Sequence, residues 1–95
     1  MERDALVRRW LELTRTVLPG MAAAAGWPID QDHCFMRVFL DHAMSGPWHR
    51  TVRRPATRFM TVEALAQAVA AAEHVVRHPD ELDGFNRRSL AWRRT

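Results

Sequence analysis

Three segments of this chain repeat apolar side chains at the interval of one helical face, and none repeats them at the interval of a strand. Leu6, Trp10, Leu13 and Val17 form the first set. Phe35, Val38, Phe39 and His42 form the second, widened by Met36, Leu40 and Ala43. Val62, Leu65, Val69, Ala72 and Val76 form the third. A helix with one apolar stripe must bury it against another element. The expected fold is therefore all-α: a small compact bundle of three longer helices, with short connecting and C-terminal helices, in one domain spanning residues 1–95. The broad arc on the second segment belongs to a central helix covered on more than one side.

Stop and start residues divide the segments. Asp4 is placed to cap the first helix, and Arg8 can pair with Glu12 on its wet side. Pro19 and Gly20 are expected to break or kink it. "MAAAAG" continues as far as Gly26, a left-handed stop. Trp27 precedes Pro28 and is pushed toward extended geometry. Asp30 is placed to cap a second helix over residues 31–44, which "SGP" ends. Pro47 can open a short helix and Pro55 end it. Thr61 caps the last long helix, with Glu63 and Arg77 suiting its dipole and Pro79 stopping it. "DELDGFNRRSLAWRRT" gives a polar turn and a short final helix carrying Phe85, Leu90 and Trp92.

Composition limits the class of protein. Hydrophobic residues make up 47 % of the chain, which supports a core and excludes a disordered chain. No apolar run approaches the ~18 residues of a membrane span. "MERDALVRRW" carries no apolar leader, and the single cysteine, Cys34, has no internal partner. These features give a cytoplasmic, bacterial protein as the expectation, with no membrane partner. A chain this short with four Trp also leaves room for self-association through uncovered apolar area.

All fourteen basic residues are arginine. Codon bias in a GC-rich genome is one source of that excess; selection for planar forks that grip phosphate or carboxylate is the other. Their placement says more than the net charge of +3. No acid lies between Asp41 and Glu63, where Arg50, Arg53, Arg54 and Arg58 fall. A second acid-free run, 84–95, carries Arg87, Arg88, Arg93 and Arg94.

The stretch "PIDQDHCFMRVFLDH" poses the sharpest question, because it threads acids, histidines and the only thiol through apolar residues. His33, Arg37 and Asp41 recur every fourth residue and so form one polar stripe. It is either a solvated face with an Arg37–Asp41 ion pair or a polar pocket formed by Asp32, His33, Arg37 and Asp41 beside the Trp48 loop. Since "DHCF" enters the core within two residues, His33 is expected to be a buried structural histidine. Cys34 is expected to be a buried, inert thiol.

His74 and His78 share a helix face in "HVVRH", but Val75 stands where the metalloprotease pattern needs Glu. A full site would need a third ligand from elsewhere, such as Asp80 or Glu81, and no metal is expected. No glycine-rich phosphate loop, G-x-S-x-G turn or C-x-x-C is present, so no cofactor is expected. "GPWHRTVRRPATRF" is the best binding candidate: Trp48 supplies an aromatic face, and Arg50, Arg53, Arg54 and Arg58 supply charge. Its two prolines make it a poor recognition helix.

The expected function is that of a small non-enzymatic binding, regulatory or adaptor module. It would contact a protein or other anionic macromolecule through the Arg/Trp-rich segment, or self-associate. Nucleic-acid binding is the alternative. A small-molecule or enzymatic site around Asp32, His33, Arg37 and Asp41 is the second alternative.

Overall fold

A computed structural model describes residues 2–94, and every regular element among them is helical. The helices are α1 (Arg3–Glu12), α2 (Leu18–Ala25), α3 (Asp32–Met44), α4 (Ala56–Phe59), α5 (Val62–Arg77) and α6 (Leu82–Arg93). Short 3-10 turns cover Trp48–Arg50 and Pro79–Glu81. The all-α expectation holds. The Cα radius of gyration, 12.4 Å, equals what about 95 residues give when compactly folded.

Pro19 does not break the first helix. A π-helical segment, Leu13–Val17, joins α1 to α2, with the Leu18 amide reaching back to the Leu13 carbonyl. Proline lacks an amide and its ring crowds the carbonyl one turn earlier. One wider turn absorbs both, so the helix continues. Within this segment Thr14 is fully buried, and its hydroxyl donates to the Trp10 carbonyl at 2.8 Å. Gly26 ends α2 at φ 68°, with its own amide bonded to Ala23 and the Trp27 amide to Ala22. The Trp27 indole then donates to the Pro79 carbonyl at 2.8 Å.

Helix starts differ from expectation at two places. Glu2, not Asp4, caps α1, accepting from the amides of Asp4 and Ala5. At α3 the capping position falls on Gln31, which makes no side-chain cap. Asp30 is exposed one residue too early, and Asp32 instead accepts from the His33 amide at 2.7 Å. Thr61 caps α5 as expected, accepting from the Ala64 amide at 3.1 Å. Arg8 does not pair with Glu12. Arg9 does, and it also bonds Glu73, tying α1 to α5.

Helix α3 lies at the centre, packed on α5, α6 and the π segment. Phe35, Val38 and Phe39 are fully buried, and Leu65, Ala68, Ala72 and Val75 of α5 face them. Trp10, Leu13 and Leu18 close the other side. His42 is half-buried against the edge of Phe85, ring centroids 4.9 Å apart. Burial, then the Arg88 charge, pushes its pKa down, so it packs as a neutral ring.

The final helix departs most from its sequence reading. It runs through Arg93, with Leu82, Asn86 and Ser89 buried while Leu90 is exposed. A polar stripe faces inward there because a charged group on α3 requires it.

Phe39 is wholly buried and its ring packs at a tilt against Phe85, ring centroids 5.7 Å apart. Phe39→Ala should therefore lower stability by about 3–5 kcal/mol in denaturant melts. A loss under ~1 kcal/mol would show a site able to collapse around the missing ring.

Candidate functional site

Asp41 is the charged group that turns α6 inward. Its side chain is fully buried, yet each oxygen is bonded. Oδ2 accepts from the Ser89 hydroxyl at 2.6 Å and from Arg93 Nε at 2.7 Å. Oδ1 accepts from Arg93 Nη2 at 3.0 Å and from the Trp48 amide at 3.0 Å. The bonds join α3, the Trp48 loop and the end of α6 at one carboxylate. Burial alone pushes the Asp41 carboxyl up. Hydrogen bonds from Arg93, Ser89 and Trp48, with the Arg93 charge, outweigh burial and hold it below the usual carboxylate range.

The expected Arg37–Asp41 ion pair does not form. Asp41 takes Arg93 instead, and Arg37 donates to Ser89 Oγ at 2.8 Å and Asn86 Oδ1 at 2.7 Å. Both acceptors are neutral, so they aim the guanidinium without cancelling its charge. Burial is the main cause that lowers the Arg37 pKa, but an arginine stays protonated regardless.

In front of this network opens a cleft of about 640 Å³. Trp10, Leu11 and Arg15 border it from α1 and the π segment; His33, Met36, Arg37 and Leu40 border it from α3. Trp48, His49 and the chain 54–57 close the opposite side, and Arg93 reaches in from α6. The Arg54 guanidinium lies over the Trp48 ring, 5.1 Å from its centroid. Four arginines and two histidines line the cleft, and no carboxylate does. Neither Arg15 nor Arg54 has a carboxylate partner among the described residues.

The cleft joins two sets of residues that the sequence presents separately. His33 and Arg37 from the α3 stripe meet Trp48 and Arg54 from the basic segment. Asp41 supports the wall from behind, while Asp32 is exposed and lies outside it. His33 is exposed, with 73 % of its side-chain surface accessible, so it is not the buried structural histidine expected. The helix starts one residue later than supposed, which leaves His33 in an open first turn. Cys34 is half-buried.

Arg53 and Arg58 do not enter the cleft. They flank Phe59 on the outer surface, at 4.9 and 5.4 Å from its ring centroid. Arg50 is exposed and also lies outside the cleft. Among the described residues no cluster of three His, Cys, Asp or Glu is placed to hold a metal. The His74 and His78 rings lie tilted with centroids 4.6 Å apart, and His74 Nε2 meets Glu81 Oε1 at 2.9 Å.

Sequence reasoning missed Arg15, Asn86, Ser89 and the inward role of Arg93. Asn86, Ser89 and Arg93 share one face of α6 at helical spacing, which was a legible signal. Arg15 reaches the cleft from within the π segment, a feature no helical wheel anticipates.

Comparison with protein-family models, with curated proteins and with solved structures finds no match for this chain.

Removing the hub carboxylate should be costly. Asp41→Ala should destabilise by about 3 kcal/mol, the low end for a broken buried pair, because Arg93 keeps 29 % of its side chain accessible. The pH dependence has a definite sign. A carboxyl held below its unfolded value stabilises the fold above pH ~4, and that stabilisation is lost as pH falls through the lower folded pKa. Acid denaturation followed by circular dichroism should therefore be steeper for the native chain than for Asp41→Asn. Equal acid limbs would show that Asp41 is not ionised in the fold.

Proposed function

We propose that this chain is a non-enzymatic binding module that recognises a small organic anion in the cleft between α3 and the Trp48 loop. The observation that carries this reading is the lining itself: four arginines converge, and the one carboxylate bonded to any of them among the described residues is Asp41, which lies behind the wall and pairs with Arg93. Clustered guanidiniums repel one another and cost free energy unless a negative group joins them. The cleft's volume falls in the range of small-molecule sites, about 300–1,000 Å³. Its apolar walls, Trp10, Met36, Leu40 and Pro55, suit a ligand with an apolar body beside its charged head. Catalysis is not part of this reading: Ser89, the one hydroxyl bonded to a carboxylate among the described residues, is wholly buried and committed to the network.

The test is a thermal-shift comparison of phenyl phosphate and benzoate with neutral benzyl alcohol. The anions should raise the melting temperature, benzyl alcohol should not, and Arg54→Gln should abolish most of the response. Arg87→Gln, remote from the cleft and paired with Asp83, should leave the response unchanged. Equal responses to the anions and the alcohol would defeat the reading.

A second reading, contact with an acidic protein partner, draws support from Phe59. It is 42 % exposed and flanked by the Arg53 and Arg58 guanidiniums. Aromatic and arginine side chains together are the usual anchors of protein interfaces. An oligoglutamate peptide carrying one Trp should bind, and Phe59→Ala should weaken it. A single-stranded oligonucleotide that binds better, with affinity falling steeply as salt rises, would favour the nucleic-acid alternative instead. No helix among the described residues is long and apolar enough to cross a membrane.

A further inference from the structure

We infer that the cleft's ligand is a phosphate monoester with a compact apolar body; this inference rests on the anion-binding reading and narrows it to one head group.

The charges in the cleft decide the head group. Of the four lining arginines, Arg93 gives its charge to Asp41 through two bonds, at 2.7 and 3.0 Å. Arg37 is held by neutral oxygens of Ser89 and Asn86, at 2.8 and 2.7 Å. Arg54 rests on the Trp48 ring, and Arg15 is an exposed lining residue with no carboxylate contact among the described residues. Arg15 and Arg54 therefore face the cleft with no carboxylate beside them, and the charge of Arg37 is offset only in part, by Asp41 behind the wall.

A carboxylate is a poor match for that set. It carries a single charge, which offsets no more than one guanidinium. Of Arg15 and Arg54, one would then remain without a counter-charge, beside the partly offset Arg37. A phosphate monoester carries a charge of about −1.5 to −2 at neutral pH and three terminal acceptor oxygens. Its oxygens can be shared among several forks, and its charge offsets most of theirs.

The shape of the cleft requires more than the head. Inorganic phosphate would leave most of 640 Å³ to water. Trp10, Met36, Leu40 and Pro55 give the remaining wall an apolar character that water fills poorly. The polar network behind Arg37 fixes one fork in place before any ligand arrives. Such preorganisation reduces the ordering cost of binding.

Isothermal titration calorimetry at one ionic strength and pH 7.5 separates the head groups. Phenyl phosphate, phenyl sulfate and benzoate share an aromatic body and differ in charge or shape. Phenyl phosphate should bind at least about tenfold more tightly than either monoanion, the difference expected from one further charge contact. Inorganic phosphate should bind more weakly than phenyl phosphate. Arg54→Gln and Arg15→Gln should each narrow the gap between phosphate and sulfate. Both positions are exposed, so the variants should fold, and far-ultraviolet circular dichroism checks this. Equal affinity for phosphate and sulfate, or tightest binding of benzoate, would overturn the phosphate assignment while leaving an anion site. If none of the three binds, the anion-binding reading falls with it.

Discussion

The carboxylate of Asp41 is the interaction on which the arrangement depends. A buried charge without partners is prohibitively unfavourable, so the surrounding chain must bring donors to it. Arg93, Ser89 and the Trp48 amide do so, and they come from the far end of α6 and from the loop after α3. One acidic side chain thereby fixes the angle of the last helix and the start of the basic segment. Asn86, Ser89 and Arg93 turn inward on α6 for this reason, beside the apolar Leu82 and Phe85, and Leu90 is left exposed.

The same network shapes the cleft. Ser89 donates to Asp41 and accepts from Arg37, so the hydroxyl couples the hub to a cleft-lining guanidinium. The Trp48 amide is bonded to Asp41 while the Trp48 ring carries Arg54. Fold stability and cleft geometry are linked through these bonds. The π segment contributes separately: it follows α1 without a break and places Arg15 beside Trp10 and Leu11 in the cleft wall. Insertions of this kind occur often at functional sites.

Much of the fold was legible in the sequence because apolar periodicity dominates it. The stripes of α1, α3 and α5 predicted the buried positions Leu6, Trp10, Phe35, Phe39, Leu65 and Ala72. Stops at Gly26, Ser45 and Pro79 also followed from local chemistry. Helix starts were harder, since Asp4 and Asp30 are both good caps by type, and the chain uses Glu2 and no side-chain cap instead. The site was half legible. Trp48, Arg54, His33 and Arg37 were named, but as two separate features, because local spacing cannot report that distant segments converge. Arg37 and Asp41 stand one turn apart and pair by every local rule. Tertiary contacts override that rule, since Arg93 satisfies Asp41 from 52 residues away.

The most direct measurement is a heteronuclear NMR titration of the intact chain with phenyl phosphate, following the arginine Nε–H and tryptophan indole signals. The account predicts saturable shifts at Arg15, Arg37, Arg54 and Trp48, with Arg53, Arg58, Arg77 and Arg87 unmoved. Shifts spread evenly over all arginines, or confined to the Arg53–Phe59–Arg58 face, would contradict it.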